Sequence, residues 1–290
     1  MNTQPPPTIV ITPRGLSSFA EWRELWNARD LCWFLIRRDL KTRYAQSVLG
    51  LGWAIVQPIF TTGVLTMVGK LANINSDGVP IQFWSLAAVV LWTFFQTAVN
   101  EAGNCLSANL NVITKVYFPR LVLPLAAVGG KIFDLLIMLA LLALVLLVRH
   151  GQLLEAGCHL QIAALWAVPA ALAITVVSAL TAGLWLAGLS VQYRDVRVAQ
   201  GLILQLLMYA SPLIYSSSRI YTQVKIPAPW RELYFFNPLA DVIETMRAVL
   251  FGTTPLSYAH LALGATVAVL GLLGGIWCFR RSENLVADVA

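Results

Sequence analysis

Residues 121–148 read LVLPLAAVGGKIFDLLIMLALLALVLLV. A bilayer core takes about 20 apolar residues per helical crossing, and this run exceeds that, so it spans with tilt or extends past the bilayer. Its two charges, Lys131 and Asp134, stand three apart and share one helix face. Ionised together and paired, they cost far less in lipid than either would alone. A structural pair inside a helix bundle and a functional gate are both open readings.

The rest of the chain has the same character. Apolar residues make up 58% of the 290 and charged residues 12%, with a mean hydropathy of +0.71. Soluble domains are about half apolar and about a quarter charged, so even a large soluble core would need more polar cover than this. The composition specifies an integral membrane protein. Its start, MNTQPPPTIVITPRG, lacks the basic residues and short apolar core of a secretory signal peptide. Cys32, Cys105, Cys158 and Cys278 have no C-x-x-C spacing, which leaves them as small buried apolar residues. The net charge of +6 is no argument for nucleic acid, because basic residues mark the cytoplasmic side of a membrane protein.

Continuous hydrophobicity predicts six crossings, at about 51–70, 82–100, 121–148, 160–189, 199–216 and 259–279. Arg14, Arg23, Arg29, Arg37, Arg38, Lys41 and Arg43 precede the first. Lys115, Arg120, Arg194, Arg197, Arg280 and Arg281 fall on the same side, making thirteen of the twenty Lys and Arg. The other side has Lys70 and Arg149 in short loops. Arg219, Lys225, Arg231 and Arg247 follow in one long segment, which weighs little in orientation. Both termini are therefore expected in the cytoplasm. Trp53, Trp84 and Trp277, near predicted span ends, fit aromatic anchoring at the interface.

Residues 1–45 form a cytoplasmic segment ahead of a single transmembrane domain at 46–290. Ser18 and Glu21 make an S-x-x-E capping box, with Phe19, Trp22, Leu25, Trp26 and Arg29 at helical spacing behind it. This describes an amphipathic helix in the membrane interface, or else one docked on a cytoplasmic partner. A second apolar patch, Leu31 to Ile36, runs into RRDLKTRY. The cations Arg37, Arg38, Lys41 and Arg43 suit anionic head groups; they serve equally as a topology signal.

Catalytic chemistry is absent from the pattern. There is no G-x-x-x-x-G-K-[ST] phosphate loop, since Gly129-Gly130-Lys131 lacks the upstream glycine. His150, His159 and His260 form no metal-ligand pair at helical spacing, and no serine has an adjacent base with its carboxylate. Active transport would therefore draw on another subunit or an ion gradient. Gradient-driven carriers place several ionisable groups at membrane depth and carry broken, repeated halves, neither of which is evident here. A membrane enzyme would need a carboxylate or histidine set that the loops lack.

Between the second and third predicted crossings lies NVITKVYFPR, residues 111–120. Asn109 and Asn111 can cap and Pro119 breaks. At about 3.6 residues per turn, Val112, Val116 and Pro119 share one side, with Lys115 and Arg120 at the flank. Ile113, Tyr117 and Phe118 add to the apolar surface. A short amphipathic helix docking on another protein and one resting on head groups both fit.

The chain resembles the membrane-spanning subunit of ABC-2 type polysaccharide exporters, the permease of O-antigen and capsule export systems. The stretches that carry the resemblance are RDLKTRYAQSVLGLGWAIVQPIF, WTFFQTAVNEAGNCLSANLNVITKVYFPRLVLPLA, LSVQYRDVRVAQGLILQLLMYASPLIY and FFNPLADVIETMRAVLFG, in the family's order. The resemblance implies an all-α integral membrane fold in the bacterial inner membrane, with six transmembrane helices, an N-terminal interfacial helix and re-entrant helices between crossings five and six. It implies a homodimer with two ABC ATPase subunits, which bind the ATP and Mg; the permease itself holds no cofactor, no metal and no catalytic residue. Asn111, Val112, Ile113, Lys115, Val116, Tyr117 and Phe118 then belong to the coupling helix, set in a cleft of the ATPase.

Proline and polar backbone at membrane depth are tolerated only inside protein or along water. The proline-bearing SPLIY (211–215) and FFNPL (235–239) meet that condition as the outer re-entrant region, with Pro212, Tyr215, Asn237, Pro238, Glu244 and Arg247. Glu244 and Arg247, three apart, are placed to pair. The implied substrate is a polysaccharide on a polyprenyl-pyrophosphate carrier. Trp53, Phe60, Trp92, Phe94 and Phe95 are candidate channel aromatics, or packing residues. An ABC-2 exporter of a drug or lipid is the neighbouring reading.

Overall fold

The computed structural model describes residues 19–45, 50–113, 118–217, 227, 234 and 236–289. Its helices, in order, are α1 (Phe19–Asn27), α2 (Arg29–Ala45), α3 (Trp53–Leu71), α4 (Ile81–Gly103), the one-turn α5 (Cys105–Ala108) and α6 (Leu110–Ile113), α7 (Val122–Val148), α8 (His150–Glu155), α9 (Ala167–Gln192), α10 (Asp195–Ala210), α11 (Pro238–Phe251) and α12 (Tyr258–Val289). No strand occurs among the described residues. Five stretches in them are long and apolar enough to cross a membrane: Trp53–Leu71, Ile81–Gly103, Val122–Val148, Ile162–Gln192 and Tyr258–Ser282.

The predicted crossing at 199–216 differs from what forms. α10 has 16 residues, about 24 Å at 1.5 Å per residue, which is short of an unaided crossing. Pro212 supplies the reason. A residue before proline is driven out of the α region, and Ser211 is extended at φ −101, ψ 152. Its hydroxyl donates to the Leu207 carbonyl at 2.8 Å, satisfying part of the open helix end.

α4 is the central helix, packed by α3, α7, α9 and α11. It is buried over most of its surface, with a polar edge at Gln96, Thr97, Asn100 and Glu101 near its end. Phe94 and the alanines Ala87, Ala88, Ala98 and Ala102 are fully buried. In lipid, apolar burial does not drive one helix against another; close packing and interhelical hydrogen bonds do. Gly183 of α9 shows the packing: a Cβ there would stand 2.4 Å from Ala102 Cβ. Interhelical hydrogen bonds join α9 and α12, where Thr181 donates to Ala268 O and Trp185 Nε1 to Gly271 O, each at 3.1 Å. They also join α10 and α4, where Gln200 Nε2 donates to Asn100 Oδ1 at 2.9 Å.

α1 and α2 join at Ala28, whose N–H bonds back to Glu24 and Leu25. Trp26, Trp33 and Phe34 are exposed. α2 also packs on α7: Leu35 and Ile36 are buried in a second core with Leu106, Val122, Leu123, Ala126 and Phe279. The proposed cap Ser18 lies outside the described residues. Trp84 is not an interfacial anchor as expected, because it is 2% exposed and sealed inside the bundle. Trp53 and Trp277 are exposed. Cys105, Cys158 and Cys278 are buried, and burial pushes the Cys105 thiol up to about 12, so it stays an inert thiol at neutral pH.

Candidate functional site

Three groups of residues gather chemistry. The first surrounds the charged pair of α7. Lys131 Nζ is 3.6 Å from Asp134 Oδ2 and 3.3 Å from Glu101 Oε1 of α4. Arg43, in the last turn of α2, places Nη1 3.0 Å from Asp134 Oδ2 and Nη2 3.4 Å from Glu101 Oε1. Two cations and two anions alternate in a ring. The expected pair is therefore half of a balanced quartet that joins three helices. Sequence carried no sign of Glu101, whose partners are distant in the chain. A cavity of about 170 Å³ adjoins it, lined by Arg43, Trp53, Gln57, Thr97 and Asp134 among others.

The second group lies at α11. Asn237 is its N-cap, with Oδ1 accepting from Leu239 N at 3.1 Å, and Pro238 follows at N1, where its missing N–H costs nothing. Asn237 Nδ2 donates to Ser211 Oγ at 2.9 Å, so one side chain ties the start of α11 to the end of α10. At the other end Gly252 takes the left-handed conformation, φ 66, that a C-cap favours. Arg247 is 3% exposed. Its Nη1 is 3.2 Å from Glu244 Oε1, its Nε donates to Trp84 O at 3.3 Å, and its guanidinium sits 3.4 Å from the centroid of the Trp84 ring. Glu244 also accepts from Ser217 N and Oγ, at 3.3 and 3.0 Å. Pro212 is buried, and Tyr215 OH donates to Tyr209 O at 3.3 Å. Sequence reasoning missed Asp241, which is 3% exposed; the spacing D-x-x-E-x-x-R over 241–247 puts it near the Glu244–Arg247 side of α11 and was the available signal.

The third group leads into the stretch 111–120. Arg38 Nη2 reaches Asp39 Oδ1 at 2.8 Å and Asn109 Oδ1 at 2.7 Å. Asn109 Nδ2 donates to Cys105 O at 2.9 Å, so its side chain closes α5, while its carbonyl accepts from Val112 N and Ile113 N, at 2.9 and 3.1 Å, at the start of α6. Asn111, Val112 and Ile113 lie in α6, Leu110–Ile113. Lys115, Val116 and Tyr117 lie outside the described residues. Phe118 and Pro119 are not helical, and Ile113 and Phe118 lean onto the second core.

Of the four proposed head-group cations, Arg38 and Arg43 are engaged within the protein. Arg37 is exposed over the Trp33 ring, and Lys41 is exposed. The aromatics divide as sharply. Trp92, Phe94 and Phe95 are 2, 0 and 3% exposed, and Trp92 Nε1 donates to Gln96 Oε1 at 3.1 Å, so these three are packing residues of α4 and line no channel within the protomer. Trp53 and Phe60, on α3, are exposed. Among the described residues no group of three or more His, Cys, Asp or Glu is placed to hold a metal ion.

Comparison with known proteins accounts for nearly the whole chain. The O-antigen export system permease protein RfbA of Myxococcus xanthus is 29% identical over 265 residues, covering 90% of this chain and 96% of that protein. The protein of the same name from Klebsiella pneumoniae is 24% identical over 261 residues, 90% and 95% of the two chains. The capsule polysaccharide export inner-membrane protein CtrC of Neisseria meningitidis is 27% identical over 115 residues, 37% of this chain. The profile of the ABC-2 type transporter family matches residues 30–251, from α2 to the end of α11, and by this match the chain belongs to that family.

Proposed function

We propose that the chain is the membrane permease of an ATP-driven exporter that carries lipid-linked polysaccharide, of O-antigen or capsular type, outward across the bacterial inner membrane. The observation that carries this reading is the end-to-end similarity to O-antigen export permeases, 90% of the chain in each of two relatives. In this reading the permease is a homodimer with two ABC ATPase subunits, which bind ATP and Mg and perform all hydrolysis. Residues 1–45 form the cytoplasmic segment and 46–290 the transmembrane domain, with both termini in the cytoplasm. α10 completes a sixth crossing together with Ser211–Tyr215, and α11 is an outer re-entrant helix held by its Asn237 cap. Arg37 and Lys41 attract the pyrophosphate head, and Trp53 and Phe60 face the glycan path.

The coupling role falls on residues 111–118, presented to the ATPase by α5 and α6, with Arg38 bracing Asn109. Val116→Asp tests it. A carboxylate in an apolar interface costs about 2 kcal/mol or more of docking, while membrane insertion is unaffected by a residue outside the bilayer. The expected result is a permease present in normal amount, without ATPase on co-purification, and glycan retained in the cell. ATPase binding and export both intact would refute the coupling assignment.

A further inference from the structure

We propose that the cavity between α11 and the start of α12 is a subsite for one neutral sugar ring of the exported chain, with the Asp241 carboxyl as its main hydrogen-bonding group. This rests on the polysaccharide-export reading and names where the glycan is held near the outer end of α12. The cavity measures about 310 Å³ and is lined by Asp241, Glu244, Thr245, Ser217, Ser257 and His260, with Ala248 and Leu256 between them. That size falls at the lower end of ligand cavities, about 300–1,000 Å³, which pair an apolar lining with a few convergent polar groups.

The two carboxylates differ. Glu244 is committed, to Arg247 at 3.2 Å and to Ser217 through two hydrogen bonds. Asp241 is 3% exposed, and its Oδ2 has no hydrogen-bond partner among the described residues. It is pressed toward α12 so closely that a Cβ on Gly264 would lie 2.9 Å from Oδ2. Buried polar atoms are normally satisfied, and an orphan beside empty space calls for an explanation. A ligand rich in hydroxyl donors supplies one. Burial, with the Glu244 charge beside it, pushes the Asp241 carboxyl up to about 8, so at neutral pH it keeps its proton and offers one O–H donor beside an acceptor oxygen. Thr245 and Ser257 can also donate or accept, and sugar hydroxyls answer both roles. A hard cation asks for six or more oxygens; with Glu244 neutralised by Arg247, a protonated carboxyl and scattered hydroxyls fit a sugar better.

The test places the photo-crosslinking residue p-benzoylphenylalanine at Ser257, and separately at Thr254, of the full chain in cells making the polysaccharide. Irradiation should give a high-mass permease smear that periodate, which cleaves vicinal diols, collapses. The same probe at Leu147, exposed at the end of α7, should give none. Asp241→Leu should weaken the smear and slow export about tenfold at unchanged membrane level, the scale of one lost hydrogen bond, with Asp241→Asn falling between. Probe variants that export normally but form no periodate-sensitive adduct overturn the subsite and leave the export reading standing. An adduct indifferent to both Asp241 substitutions overturns the role of Asp241. A gene-deletion strain whose export is not restored by the unaltered chain overturns the reading beneath.

Discussion

Arg43 reaches 91 positions along the chain to Asp134, Nη1 to Oδ2 at 3.0 Å. This single bond ties the last turn of the amphipathic helix α2 to the middle of α7. Glu101, bonded to both Arg43 and Lys131, brings in α4. Any displacement of α2 must therefore break the quartet or pull two bundle helices with it.

The quartet predicts a non-additive pattern. Lys131→Ala leaves Arg43 facing two carboxylates, and Asp134→Ala leaves two cations facing Glu101. Each should destabilise by about 2 kcal/mol, below the figure for a fully buried pair because Glu101 is half exposed and partly screened. The double substitution leaves Arg43 and Glu101 to balance each other and should recover much of the loss. Thermal unfolding of the purified chain in detergent measures this, and a double mutant as damaged as the sum of the singles would refute the coupling.

Arg247→Met should cost about 2–4 kcal/mol, since it strands Glu244 with Ser217 as its remaining hydrogen-bond partner among the described residues. Arg247→Lys should recover less than half of that loss, because one ammonium cannot meet the Glu244 carboxylate, the Trp84 carbonyl and the ring face together. The same unfolding measurement separates the two variants.

Asn237→Ala removes an N-cap and should destabilise by about 1 kcal/mol. Asn237→Asp keeps the cap but loses the amide donor to Ser211, and its loss should be smaller yet measurable. Limited proteolysis between residues 217 and 234 reports the loosening directly, with cleavage fastest in the alanine variant. Equal rates in all three proteins would deny Asn237 its tying role.

Gly183 and Gly201 give opposite outcomes for the same change. A Cβ at 183 would meet Ala102 at 2.4 Å, whereas at 201 it meets nothing within 4 Å. Gly183→Ala should separate α4 from α9 at a cost of about 1–3 kcal/mol, the range for overpacking. Gly201→Ala should be neutral or stabilise by up to about 1 kcal/mol through helix propensity. A thermal shift of the same sign in both would contradict the packing described.

Particular residues show how far the sequence could be read. Glu244 and Arg247 were legible as a pair because three positions on one helix bring side chains together wherever that helix lies. Lys131 and Asp134 were legible for the same reason. Glu101 and Arg43 were not, since their meeting depends on how α2, α4 and α7 pack. Trp84 looked like an interfacial anchor from its place near a span end, and only the packing of α11 onto α4 shows it beneath Arg247.

Local, periodic properties were therefore set by the sequence alone: apolar length specified a membrane protein, and helical spacing specified amphipathic faces and near pairs. Proline specified breaks: α10 ends at Ala210, ahead of Pro212 and within the crossing expected at 199–216. Which faces are buried was decided only by tertiary structure. In a chain whose helices are apolar on nearly every side, hydropathy cannot separate an exposed aromatic such as Phe60 from a core aromatic such as Phe94. Shape separates them, through small residues such as Ala102 and Gly183 that let particular helices approach, and through the few charges that must find one another inside the bundle.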